Sequence, residues 1–163
     1  MQTISKDKIK QKLTSFFSFE SLNSDSKENN ITLNIEDINK ITKNKDLLVM
    51  SSAEQYCLNS AKKAIKLIIL DFEKNNKLLT AADGILVYFQ VNSNYNVMDF
   101  AEAMEIIYDR WNDKSILKEP DVIFGVSFNS DYKDNYVKAT MFMGYSNKSK
   151  SSYSNNYILS SSI

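Results

Sequence analysis

The sequence has no histidine, one cysteine, one proline and three glycines in 163 residues, and one of its twenty basic side chains is arginine. Each shortage closes a class of chemistry. Without imidazole there is no Ser-His or Cys-His nucleophile pair, no histidine-ligated metal and no side chain poised near neutral pH. Cys57 alone can form neither an internal disulfide nor a multi-cysteine zinc site, which fits a reducing compartment. Arg110 alone cannot clamp a phosphate or a dicarboxylate with several bidentate guanidinium groups. Few breakers predict long regular elements. An excess of one charge is also missing: twenty basic residues meet twenty acidic ones, so no bulk field recruits nucleic acid or an anionic membrane. Long apolar runs are absent too. The best, Ile65 to Leu70, is broken by Lys66 and too short to span a bilayer, and residues 1–7 lack the apolar core of a secretion signal. The expectation is a soluble, cytoplasmic protein with no membrane span and no cofactor. What is present, 43% hydrophobic and 25% charged residues, is the composition of an ordinary globular domain.

Hydrophobic spacing predicts the elements. Ile9, Leu13, Phe16 and Phe17 give a helix over 5–19, with Ser5 as its cap and Lys6, Lys8, Lys10 and Lys12 on the wet side. Residues 20–30 read as a polar loop, Ile31 and Leu33 as a brief strand, and Ile35, Ile38 and Ile41 as a short helix. Asp46 to Met50 reads as a buried strand. A long helix over 53–72 follows, capped by Ser52 with Gln55 three residues on, and with Leu58, Ala61, Ile65, Ile68 and Ile69 inside. Cys57 is then a small buried group on that helix. Gly84 opens a strand through Val91. Helix 97–112 turns Ala101, Met104, Ile107, Tyr108 and Trp111 one way. After Pro120, residues 122–128 and 136–145 form an antiparallel hairpin. The last eighteen residues hold eight serines and one apolar cluster, Tyr157-Ile158-Leu159. No Gly-rich loop follows a strand, so neither a dinucleotide fingerprint nor a P-loop is present.

From Ile31 to Tyr145 a series of short blocks resembles the C-terminal domain of the FtsZ and tubulin superfamily. Ser52-Ala53-Glu54-Gln55 with Ala61-Lys62-Lys63-Ala64-Ile65 is similar to the family's Ala-Ser-Gly-Glu-Asn segment and following helix. Gly84-Ile85-Leu86-Val87 resembles its Gly-Val-Leu-Ile-Asn strand, and Phe100-Ala101-Glu102-Ala103 falls at its Glu-Val-Asn-Glu-Ala helix. Val122-Ile123-Phe124-Gly125 resembles Asn-Ile-Ile-Phe-Gly. Val137-Lys138-Ala139-Thr140 and Gly144-Tyr145 match its last strand. The resemblance implies an α+β fold, chorismate-mutase-like, with a sheet of about four strands, two main helices on one face and an N-terminal helix in front. It divides the chain into 1–30 (helix and polar loop), 31–146 (FtsZ C-terminal-like domain) and 147–163 (Ser-rich tail). The family's separate GTP-binding domain has no counterpart here, so the expectation is a stand-alone, non-catalytic domain.

In that family an Asn-x-Asp-x-x-Asp loop reaches into the nucleotide site of the neighbouring subunit. The resemblance places Thr32-Leu33-Asn34-Ile35-Glu36-Asp37 there, which makes Thr32, Asn34, Glu36 and Asp37 the candidate interaction loop. Asp37 keeps an acid, Asn34 replaces one, and Glu36 adds one. Asn34 cannot take a proton or hold a cation as a carboxylate does. For Asp37 two readings stand side by side: a residue acting on a partner, or a carboxylate that satisfies a helix start. The function expected is protein–protein contact, capping or modulating FtsZ filaments in cell division, with FtsZ or an FtsZ-like protein as partner. The alternative is a self-associating scaffold using strand edges or a Tyr-rich face. An enzymatic reading founders on the single Arg110, and paired acids such as Asp131 and Asp134 read as a solvated turn before a metal site.

Overall fold

A computed structural model describes residues 1–22, 33–112 and 121–146. Five strands form one mixed sheet: β1 (Gln2–Ser5), β2 (Leu47–Gln55), β3 (Gly84–Val91), β4 (Asp121–Phe128) and β5 (Val137–Tyr145), in the spatial order β1-β2-β5-β3-β4. Helices α1 (Ile9–Leu22) and α2 (Ile35–Thr42) precede β2, α3 (Ser60–Lys74) joins β2 to β3, and α4 (Met98–Asn112) joins β3 to β4. The fold is the expected α+β layer with α3 and α4 on one face.

Strand alternation sorts the side chains to two faces. Ile85, Val87, Phe89 and Val91 of β3 and Val137, Ala139, Met141 and Met143 of β5 pack against Ala61, Ala64, Ile65, Ile68 and Phe72 of α3 and against Phe100, Ala103, Met104 and Ile107 of α4. Leu86, Tyr88 and Phe142 point the other way, onto Ile9 and Leu13 of α1 and Ile38 and Ile41 of α2. β3 is buried along its whole length. That is why it reads as a near-continuous apolar run, interrupted by Gln90, without alternation.

The structure departs from the expected elements at several points. The N-terminal segment starts as a strand: Gln2–Ser5 pairs antiparallel with Leu47–Met50, a short 3₁₀ turn covers Lys6–Lys8, and the helix begins only at Ile9. Ser5 does not cap it; its hydroxyl donates to Asp7 Oδ1 at 2.6 Å. Four polar-edged residues with a single inward side chain, Ile4, give too short a period-2 signal to stand out from the helical stripe behind them.

β2 does not stop at Met50 but runs through Ser51-Ser52-Ala53-Glu54-Gln55, all in register with β5. Ser52 therefore caps nothing. Its hydroxyl meets the Thr140 hydroxyl at 2.9 Å across the ladder, and Glu54 pairs with Lys138 at 3.8 Å. Helix α3 starts seven residues later than the 53 expected, so Leu58 lies in the connecting turn and is 76% exposed. Cys57 sits in the same turn, half-buried, not on the helix. On α4 the inward stripe is Phe100, Ala103, Met104 and Ile107, while Ala101 and Tyr108 face solvent.

The expected β4–β5 hairpin does not form. β4 pairs parallel with β3, and β5 crosses over to run antiparallel between β2 and β3. The reason is burial: Ala139 to Gly144 are covered on both faces, which a position at the sheet's centre provides. Thr32, the Pro120 connection and the tail with Tyr157-Ile158-Leu159 lie outside the described residues.

Candidate interaction site

The N-terminus of α2 is built from the predicted loop residues themselves. Asn34 is the cap, in extended conformation, and its side-chain oxygen accepts from the Asp37 backbone N–H at 2.9 Å. Asp37 Oδ2 in return accepts from the Asn34 backbone N–H at 3.0 Å. This reciprocal box satisfies two donors that a helix start otherwise leaves open, and it puts a negative charge at the positive end of the helix dipole. The other Asp37 oxygen lies 4.0 Å from Lys40 Nζ. The structure thus joins Asn34 and Asp37 to each other, and shows Asp37 acting as a helix-start carboxylate. Glu36, one residue away in the same turn, is exposed and enters no ion pair among the described residues.

The sheet fixes where this turn sits. A Cβ on Gly144 would stand 2.8 Å from the Ile41 carbonyl oxygen and 3.0 Å from Lys45 Cγ, and one on Gly84 would stand 3.1 Å from Ile41 Cδ1. Only glycine lets the C-terminal end of α2 lie this close to β3 and β5. Below it, buried Lys45 reaches Asp83 Oδ2 at 3.8 Å, and that oxygen also accepts from the Ser146 N–H at 2.6 Å. The helix carrying Asn34, Glu36 and Asp37 is therefore set on a close-packed, charge-tied corner.

At the opposite ends of the strands lies a polar hub that the spacing argument passed over, because Asn92 to Asn96 reads simply as a turn. The Tyr95 hydroxyl accepts from the Ala61 N–H at 3.1 Å and donates to Asp99 Oδ2 at 3.1 Å. Ser60 Oγ lies 3.1 Å from the same hydroxyl and donates to the Asn135 carbonyl at 2.8 Å. Burial, foremost, pushes the Tyr95 phenol up from its ordinary value. The hub ties the α3 and α4 starts to the β4–β5 connection. Its wet side is aromatic: Tyr56 and Tyr132 flank Tyr136 with ring centroids 5.0 and 4.5 Å away. The number of tyrosines was the available signal; their convergence needed the fold.

No group of three or more potential metal ligands occurs among the described residues, and Asp131 and Asp134 do not form one. Asp131 instead donates its backbone N–H to Asn129 Oδ1 in a tight turn. No described helix is long and apolar enough to cross a membrane.

Comparison with known proteins finds no matching family profile and no matching curated sequence. Solved structures do match. A mutant FtsZ of M. jannaschii superposes with a TM-score of 0.58 at 15% identity, over 84% of this chain and 42% of that one. An empty FtsZ dimer of the same organism gives 0.54 at 15% identity, over 70% of this chain and 31% of the other. At this identity the likeness is one of fold: the chain folds like the C-terminal part of FtsZ and spans less than half the length of the FtsZ chains it matches.

Proposed function

We propose that this chain is a non-catalytic interaction domain, centred on residues 31–146, that binds FtsZ-like filaments and caps or modulates them. What supports the reading is the FtsZ-like fold together with a rigidly seated, exposed turn at the position where the family resemblance puts its inter-subunit loop. Within that turn Asn34 and Asp37 are engaged in holding α2, so Glu36 is the carboxylate left to meet a partner. With one arginine and no histidine in the chain, this reading gives the turn a role in contact and none in catalysis.

The test is a pelleting assay of the host's FtsZ with GTP, with this protein titrated in and phosphate release followed. Co-pelleting, or a fall in polymer mass or turnover at substoichiometric ratios, is the expected result. Glu36→Arg should abolish it without loss of fold. Protein that stays in the supernatant and changes neither quantity overturns the reading.

A second reading, self-association, is favoured by a separate observation. Tyr56, Leu58 and Met98 are 59%, 76% and 68% exposed at the end of the sheet where the tyrosine rings gather. Large apolar side chains exposed together mark interaction surfaces. A solution mass that stays monomeric at every concentration overturns this alternative.

A further inference from the structure

β1 ends the sheet, and among the described residues no strand lies on its outer side. Native edges of this kind are usually blunted by a charge, a proline or a bulge within the strand. Gln2-Thr3-Ile4-Ser5 is protected by its shortness alone: it carries no charge and no proline, and it pairs with β2 without a bulge. Beside it runs a cleft of about 480 Å³ lined by residues 2–5, Lys8, Lys12, Asp46 and Leu47. Lys8 and Lys12 stand one helical turn apart, both exposed, and neither enters an ion pair among the described residues. Asp46, the one carboxylate on the described wall, is already held by Lys6 Nζ at 3.2 Å. Asp7, which accepts from the Ser5 hydroxyl, offsets part of the Lys8 charge, and with Lys12 the balance around the cleft stays positive, although the chain as a whole is neutral.

We infer that this cleft docks an extended acidic peptide of a partner protein, which adds to β1 as a sixth strand while its carboxylates meet Lys8 and Lys12. Main-chain pairing supplies affinity in strand addition, and side chains at alternate positions supply specificity. A second copy joined edge to edge is the simplest other occupant, and a solution mass that doubles with concentration, with amide shifts in residues 2–5, would overturn the acidic peptide. This surface lies apart from the Asn34–Asp37 turn, and the inference does not depend on the filament reading.

The probe is a capped, fluorescein-labelled peptide of alternating glutamate and valine, followed by fluorescence anisotropy and by amide shifts of the whole protein. Saturable binding that weakens with added salt is expected, with shifts confined to residues 2–5 and the start of α1. The double variant Lys8→Glu, Lys12→Glu alters only exposed side chains and should weaken binding by at least about tenfold. N-methylating one alternate set of peptide amides should do the same, because it removes ladder donors without touching charge. The same peptide with lysine for glutamate should not bind. Equal affinity for the peptides methylated in either alternate set overturns strand addition, and indifference to the lysine reversal overturns the cleft as the site. Tighter lysine-dependent binding of phosphatidylserine vesicles or of duplex DNA overturns the acidic peptide as occupant. An unchanged pelleting result for the double variant separates this outcome from that of the filament assay.

Discussion

The two faces of the sheet are packed by different means. Under α3 and α4 the core is mostly aliphatic and methionine-rich, filled to zero exposure at Ile65, Ile68, Val87, Phe89, Ile107 and Met141. Under α1 and α2 it is smaller, and a four-ring aromatic cluster closes an otherwise aliphatic core: Phe16 and Phe17 meet edge-to-face at 5.1 Å, and each packs on Tyr88 and Phe142 with centroids 5.3 to 6.3 Å apart. The first face is built by crossover helices that the chain must place there to get from β2 to β3 and from β3 to β4. The second is covered by α1 and α2, which no crossover of the sheet requires. Two of the proposed contact surfaces, the α2 turn and the β1 cleft, border that second layer, whereas the exposed Tyr56, Leu58 and Met98 of the self-association reading lie at the starts of α3 and α4.

The sharpest way to break this comparison is to cut equal pieces from each face. Phe89→Ala removes a fully buried ring stacked 4.9 Å from Phe100 and should cost ~4 kcal/mol, lowering protection of every strand together. Phe142→Ala on the other face should cost somewhat less, ~3 kcal/mol, since α1 can settle into part of the cavity. Native-state hydrogen exchange distinguishes them. If Phe142→Ala also opens α3 and α4 in step with the rest, the two faces are one cooperative unit and the contrast fails.

A smaller effect probes how α2 is seated. Gly144→Ala forces a methyl to 2.8 Å from the Ile41 carbonyl. That is a backbone contact, with no flexible side-chain end to swing away. We expect a loss of ~2 kcal/mol, in the range for overpacking a tight site, with amide shifts concentrated in α2 and β5. A variant as stable as wild type would mean that α2 is held loosely and that the turn at Asn34 is not positioned by the sheet.

How much of this was legible beforehand divides along the same line. The crossover face was in part: the period of Ile65, Ile68 and Ile69 marked the body of α3 but not its start, and the run Ile85 to Phe89 marked β3, because long buried elements repeat their signal. The order of blocks gave the fold. β1 was not legible, since one inward residue in four carries no period. The continuation of β2 through Ser51 to Gln55 was lost to a capping pattern that local sequence favours and that pairing with β5 overrides. The β4–β5 hairpin was expected from a loop of suitable length, but loop length does not decide which edge a strand joins. At the candidate site, the identity of Asn34 and Asp37 was readable and both roles for Asp37 were in view. That the two side chains grip each other was not, because a capping box is recognised only once the helix start is known.

The cap itself gives the next smaller effect. Asn34→Ala leaves the Asp37 N–H without its partner and should cost ~1 kcal/mol, the usual worth of an N-cap. Asp37→Ala should cost a similar amount through the other half of the box. Replacing both together should cost less than the sum, because each bond presumes the same turn. Full additivity in thermal melts would show that the two bonds do not act as a unit, and would reopen Asp37 as a side chain available to a partner.

The smallest effect is one of pH, and it joins the crossover face to β1. Asp71 of α3 is held below its ordinary carboxylate value of 3.8, first by the Ser51 hydroxyl, which donates at 2.6 Å, and then by the Met1 ammonium at 2.9 Å, with burial working weakly against both. A carboxyl that binds its proton less readily folded than unfolded adds stability that is fully present above the unfolded value and lost as pH falls through the folded one. The contribution therefore stands at neutral pH and fades only in acid, below 3.8. The side chain is about a third exposed, so solvent screens much of it. Asp71→Asn keeps the shape but cannot ionise, so it should lower the melting temperature slightly at neutral pH and flatten the acid limb of the stability curve. The same carboxylate links α3 to Met1, just before β1. If the variant instead leaves both the acid limb and the exchange rates of residues 2–5 untouched, the edge strand is held by its ladder with β2 alone.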